Sequence, residues 1–194
     1  MDNTRRDFIK KTSLGAAAIT TLSPNIMIGK NILGANDRIH CAIAGIRSRG
    51  KAHAAAINLQ ENAKILFNCD VDDTIIEEHN KWCNENIGYV PKVEKDYRKL
   101  LENKDIDVIF IATPEHWHTP MTIMAMQNGK HVYVEKPCSH NPYENELLVS
   151  AQKKYGLKVQ MGNQQRSAIT SINAINDIRN GIICLLYTSP SPRD

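Results

Sequence analysis

Arg38-Ile39-His40-Cys41-Ala42-Ile43-Ala44-Gly45-Ile46-Arg47-Ser48-Arg49-Gly50 is the stretch that decides the fold. Arg38 to Ala44 is a β-branched, buried-looking strand that runs straight into a glycine. A helical stretch from Gly50 to Gln60 follows, with small residues at Ala52 and Ala54 to Ala56 suited to close packing on a sheet. A strand that turns through glycine into a helix is the arrangement of a dinucleotide site. There the first glycine makes the tight turn, the second lets backbone approach a pyrophosphate, and the third lets helix and strand pack closely. Gly45 and Gly50 fill the first and last places, and Arg47 stands where the middle glycine belongs. Either the loop keeps farther from the phosphates or the Arg47 guanidinium joins in holding them. Gly45, Arg47, Ser48 and Gly50 are therefore the first candidate cofactor contacts.

Working outward, apolar runs alternate with helical patterns as far as Gly162. Lys64 to Cys69 reads as a second strand ending at Asp70, and Thr74 to Glu85 as a helix with Ile75, Ile76 and His79 on one side. A short strand is expected near Val90 to Val93, with Asp96 capping a helix from Tyr97 to Glu102. Val108 to Ile111 has no polar alternation, as expected of a central strand covered on both faces. Then come a helix from His118 to Asn128, a strand from His131 to Val134, a helix opened by Pro142 and closed by Gly156, and a strand from Lys158 to Met161. This order predicts an α/β fold, a doubly wound parallel sheet with right-handed crossovers. After Gly162 a helix from Ala168 to Arg179 carries the apolar stripe Ile169, Ile172, Ile175 and Ile178. That stripe needs a partner surface, and it is read as the first helix of a truncated second domain.

Asp70 strengthens the glycine motif. It lies at the end of the second strand, twenty residues beyond Gly50, where a carboxylate accepts hydrogen bonds from ribose hydroxyls and repels a 2′-phosphate. NAD is expected over NADP, with Arg47 and Arg49 as the argument for NADP and an N-cap for the next helix as the alternative use of Asp70. Thr113-Pro114-Glu115-His116-Trp117-His118 follows the fourth strand, at the carboxyl edge where open α/β sheets bind ligands. Thr113 and Pro114 are expected to line the dinucleotide groove, with His116 and His118 shaping the nicotinamide end. A metal site is not expected, since the two histidines lack a nearby third ligand. Glu135-Lys136-Pro137 ends the fifth strand at the same edge. A lysine held against a substrate hydroxyl stabilises negative charge that develops on oxygen, so Lys136 is the candidate catalytic residue. Asn163, in Gly162-Asn163-Gln164-Gln165-Arg166, is a further candidate contact.

Composition narrows the class. Apolar residues make up 42% and charged residues 23% of the 194, the balance of a globular protein. The formal charge is +3, and the first eleven residues account for +2 of it. The near-neutral remainder has no electrostatic footprint for nucleic acid. The five cysteines have neither C-x-x-C nor zinc spacing.

The ends read differently from the middle. Arg5-Arg6 ahead of a short Ala/Gly/Thr-rich stretch resembles a twin-arginine (Tat) export signal, with residues 1–36 as signal and linker. The stretch is too short for a stable membrane anchor, so the expected location is periplasmic or secreted, with the Tat machinery as a partner. Cys184 to Asp194 resembles one reading frame of a sequencing-library adapter, and the natural frame is expected to stop at Ile183.

Together, Ile111-Ala112-Thr113-Pro114-Glu115-His116-Trp117-His118 and Gly129-Lys130-His131-Val132-Tyr133-Val134-Glu135-Lys136-Pro137, at this spacing, resemble the Gfo/Idh/MocA (glucose–fructose oxidoreductase/inositol dehydrogenase) family. The resemblance covers Asp37 to about Ile183. It implies a Rossmann domain over 37–165 and the start of a substrate domain over 166–183. It implies NAD(P)-dependent oxidation or reduction of a sugar or polyol, Lys136 as catalytic lysine, and Gly45, Gly50, Asp70, Thr113, Pro114, His116 and Glu135 at the cofactor. It further implies a homo-oligomer for the full-length protein, and proton-transfer residues beyond Ile183, so that this fragment alone is expected to be inactive. Two other readings compete: an NAD-dependent glycosidase of the same fold that oxidises transiently, and a non-enzymatic sugar-binding or sensing protein.

Overall fold

Runs of β-branched and apolar residues without polar alternation form strands only where both faces are covered, and this chain has the helices to cover them. In the computed structural model, residues 38–182 are described. The export-signal reading at Arg5-Arg6 and the adapter reading from Cys184 lie outside them. Six strands form one parallel sheet: β1 (Ile39–Ala44), β2 (Ala63–Cys69), β3 (Lys92–Glu94), β4 (Val108–Ile111), β5 (His131–Glu135) and β6 (Val159–Gly162). The helices are α1 (Arg49–Asn58), α2 (Asp73–Asn86), α3 (Tyr97–Glu102), α4 (His118–Gln127), α5 (Pro142–Tyr155) and α6 (Ile169–Arg179).

The strand order is β3-β2-β1-β4-β5-β6. The chain winds outward from β1 to β3, crosses back to β4, and winds outward the other way. The sense of winding reverses between β1 and β4, and a crevice opens beyond the carboxyl ends of strands at such a switch point. Two apolar layers hold the sheet. On one face Ile43, Ile46, Ala54, Ile57, Ile65 and Ile76 pack together under α1 and α2. On the other, Leu100, Ile109, Ile111, Ala125, Met126 and Val134 do so under α3, α4 and α5.

Local chemistry accounts for the helix ends. Asp72 caps α2 by accepting from Thr74 and Ile75 N–H, Asp96 caps α3 through Arg98 N–H, and Asn141 caps α5 ahead of Pro142. Gly156 closes α5 in the left-handed conformation, φ 66°. The third strand departs from expectation. It runs over Lys92–Glu94, not Val90 to Val93, because Pro91 has no N–H to give a ladder and the strand starts after it. On α6, Ile169, Ile172, Ile175 and Ile178 are all exposed. Among the described residues no helix is long and apolar enough to cross a membrane.

The glycine turn is determined by backbone crowding. Gly45 has φ 83°, and a Cβ there would lie 2.6 Å from the carbonyl carbon and oxygen of Ala112. At Gly50 a Cβ would lie 2.2 Å from the Gly45 carbonyl oxygen. No side chain can yield at either place, since the obstructing atoms are backbone. Gly45→Ala and Gly50→Ala are each expected to destabilise the chain by about 2–4 kcal/mol, measured as a fall in the urea midpoint. A change below about 0.5 kcal/mol would mean that the turn is not built this way.

A second expectation concerns acid. His79 on α2 is fully buried beside Trp82, and burial, then the Lys51 charge, push its ring down to about 4. The ring is neutral when folded and takes a proton more readily when unfolded, so stability is complete above about 6.5 and drains away as pH falls toward 4. The melting temperature is expected to drop through that window, and His79→Gln to flatten the slope there.

Candidate dinucleotide and catalytic groove

The turn from β1 into α1 is held from two sides. Gly45 N–H donates to the Cys69 carbonyl at the end of β2 (2.9 Å), and Ile46 N–H donates to the Asp70 carboxylate (3.1 Å). The other Asp70 oxygen accepts from Val71 N–H (2.8 Å) and Asp72 N–H (3.3 Å). Asp70 thus buttresses the glycine turn from the end of β2, and the N-cap role belongs to Asp72. The α1 N-terminus is left open: Ser48 makes no side-chain cap bond, and the first turn holds no acid. Its orphan N–H groups and positive dipole end suit a phosphate. Arg47 and Ser48 are exposed on this turn. The uncapped helix, the two glycines that leave no room for a Cβ, and the adjacent carboxylate fit a dinucleotide.

The neighbouring wall comes from β4. Ala112 and Thr113 leave the strand against Gly45, and Pro114 opens a single 3-10 turn, Glu115–Trp117. His116 and Trp117 are exposed, their rings 6.0 Å apart. His118 is buried, with its two ring nitrogens on the backbone carbonyls of Thr113 (2.8 Å) and Pro137 (2.5 Å). His118, expected to shape the nicotinamide end, lines the cleft with both ring nitrogens engaged by backbone carbonyls.

Lys136 stands exposed at the end of β5, and its peptide bond to Pro137 is cis. It lines the same open cleft, of about 600 Å³, as Thr113, Glu135 and Asn163. Beside it, the buried Glu135 gathers three elements. Its Oε1 accepts from Arg49 Nε on α1 (2.9 Å) and from Gln164 Nε2 after β6 (2.5 Å), and its Oε2 from Lys136 N–H (3.3 Å). The buried His53 Nε2, also on α1, lies 3.0 Å from Oε1 but off the hydrogen-bond line. Burial pushes the Glu135 carboxyl up, and the bond and charge of Arg49, with Gln164 and Lys136 N–H, outweigh it and hold the carboxyl below its usual range. Burial pushes the His53 ring down, against the pull of Glu135. Among the described residues no group of three His, Cys, Asp or Glu side chains could hold a metal ion.

The cleft therefore brings together Thr113, Glu135, Lys136 and Asn163, with Gly45 against the Ala112–Thr113 backbone and Asp70 behind the glycine turn. Arg49, read from sequence only as an argument for NADP, and Gln164, read only within the stretch after β6, both meet Glu135, and His53 beside them was not singled out. One signal was available, since Arg49 and His53 are four apart and share a helix face. Nothing local names the carboxylate they meet.

The oxidoreductase family with an NAD-binding Rossmann fold matches the chain over residues 39–163. A glycosyl hydrolase family 109 protein of Shewanella pealeana is 26% identical over 92% of this chain and 43% of its own length. Among solved structures, myo-inositol 2-dehydrogenase from Lactobacillus plantarum superposes with a TM-score of 0.65 at 28% identity, covering 76% of this chain and 42% of that one. Scyllo-inositol dehydrogenase from Lactobacillus casei, with bound NAD(H) and scyllo-inositol, gives 0.64 at 27% identity and the same coverage. The chain spans less than half the length of these relatives.

If Arg49 and Glu135 form the pair described, their removal is coupled. Arg49→Ala and Glu135→Gln are expected to show an interaction of about 1 kcal/mol in a double-mutant cycle of urea unfolding. Additive effects would mean the carboxylate is held without Arg49.

Proposed function

We propose that this chain, which belongs to the Gfo/Idh/MocA oxidoreductase family, is the NAD-binding part of an enzyme that oxidises or reduces a secondary alcohol of a sugar or polyol. The observation that carries the reading is Lys136 on the cleft lined by Arg49 at the start of α1 and by the exit of β4, with its backbone tied to Glu135. NAD, when bound, supplies the hydride acceptor or donor. The residues that would hold it are the open end of α1 with Gly45 and Ser48 for the pyrophosphate, Asp70 for the adenosine ribose, and Thr113, Pro114 and Asn163 along the groove. Arg47 adds positive charge at the phosphates. Arg49 is drawn to Glu135 and away from the ribose, which leaves the Asp70 carboxylate as the dominant charge there and favours NAD over NADP.

Lys136 is the group that faces substrate. Its ammonium donates to the alcohol oxygen and stabilises the negative charge that grows there, a contribution of several kcal/mol in a preorganised site. Oxidation also releases the hydroxyl proton, which would pass to a residue of the longer protein and not to Glu135. Its lone pairs are committed to Arg49, Gln164 and the Lys136 amide, and it serves to fix the lysine. His116 and Trp117, exposed on the turn after β4, border the nicotinamide end.

A second reading is favoured by one observation, the glycosyl hydrolase family 109 relative that aligns over 92% of this chain. In it the same groove would serve a glycosidase that oxidises transiently and returns the hydride. Net NADH formation from free polyols by the whole protein supports the dehydrogenase. Glycoside hydrolysis without net NADH supports the glycosidase.

The exposed isoleucine stripe of α6 supports taking residues 166–183 as the opening of a second domain, and Arg5-Arg6 supports export through Tat to the periplasm. Substrate choice and homo-oligomer formation would then rest with the longer protein.

The full chain is expected to bind NAD at least about tenfold more tightly than NADP, a difference of one well-placed charge interaction. Asp70→Ala is expected to narrow that margin, and Lys136→Ala to leave NAD binding within about threefold while lowering turnover in the whole protein by about 100-fold or more. Fluorescence titration and initial rates read these effects. A preference for NADP would overturn the role given to Asp70.

A further inference from the structure

The groove has two lips, the segment leaving β4 at Thr113 and the segment leaving β5 at Lys136-Pro137, and one side chain spans them. His118, the first residue of α4, is 2% exposed. Its Nε2 lies 2.8 Å from the Thr113 carbonyl oxygen and its Nδ1 lies 2.5 Å from the Pro137 carbonyl oxygen. Both partners are acceptors and nothing else. A neutral imidazole has one N–H and one lone pair. Either tautomer can serve only one lip, and it turns a lone pair on the oxygen of the other. A ring with both protons donates to both.

We infer that His118 is a positioning residue that bridges the two lips as a double donor and so sets the distance between the β4 exit and Lys136. The inference rests on reading this groove as the dinucleotide site. The neighbouring contacts give the bridge its consequence. Thr119, also buried, donates its hydroxyl to the Cys138 carbonyl (2.9 Å), so α4 begins by holding two successive carbonyls of the segment after Lys136. His118 alone adds Thr113, whose backbone lies against the glycine turn. A line of contact therefore runs from Gly45 through Thr113 and His118 to Pro137, next to the lysine. The ionisable groups on the elements around His118 are Glu115 and His116 on the preceding turn, His131, Tyr133 and Glu135 on β5, Lys136, Cys138 and His140 after it, and Tyr143, Glu144, Glu146, Lys153, Lys154 and Tyr155 on α5.

The test uses the full chain. In ¹⁵N–¹H correlation spectra of the folded chain, with His118 assigned through its backbone, a proton is expected on each ring nitrogen. A single protonated nitrogen overturns the bridge. His118→Asn keeps a donor on the Pro137 side and His118→Gln keeps one on the Thr113 side. Each is expected to weaken NAD binding about tenfold, the worth of one hydrogen bond. If either folded variant binds NAD as the unaltered chain does, one contact suffices and the inference fails. Failure of the unaltered chain to bind NAD would instead count against the function proposed above, and the ring spectra would still decide the bridge.

Discussion

Two backbones meet at Gly45, and most of what faces a ligand follows from that meeting. β1 must turn into α1 where β4 lies alongside it, and the space left between Gly45 and Ala112 is less than a methyl group needs. This is a steric limit and not an attraction. It decides how far the first turn stands from the exit of β4, and therefore where the groove opens. Ladder bonding of Cys41–Ala44 with Val108–Ile111 makes the approach reproducible, because strand register leaves each residue one opposite number. The uncapped α1, the Asp70 carboxylate and the Thr113 wall all take their places relative to that contact.

Charge is then distributed to suit a crowded groove. A buried carboxylate is costly unless donors surround it. Glu135 meets that condition with donors from α1, from its own neighbour Lys136, and from the loop after β6. Three segments far apart in the chain are joined at one oxygen atom pair, and the joint lies under the lysine. The same arrangement holds Arg49 on Glu135, so a single guanidinium joins the start of α1 to the end of β5. Asp70 shows a similar economy. Three backbone N–H groups fix its carboxylate in place, and the turn it steadies is the one beside the ribose it is proposed to hold.

Much of this was legible residue by residue. The strand Val108–Ile111 and the helix Tyr97–Glu102 with its Asp96 cap emerge with the bounds read from pattern alone, because uninterrupted apolar runs and capping acids are local signals. The third strand was misplaced by two residues at its start, since the cost of Pro91 in a ladder was not weighed. That Asp70, Thr113 and Lys136 would follow strand ends at one edge was legible because topology sends every parallel strand's carboxyl end there. That the His118 ring meets two backbone carbonyls was not, for a histidine after a strand looks the same whichever way its ring turns.

Periodicity, punctuation by glycine and proline, and the acidic residue at the end of β2 were sufficient for a doubly wound sheet and for the rim proposed to take its ligand, since those signals act over a few neighbouring residues. Partner choice was beyond their reach. That His118 reaches Pro137 and that Arg49 turns to Glu135 depend on distances between segments 19 and 86 positions apart. Packing sets those distances, and it does so only once the whole sheet has closed over its two apolar layers.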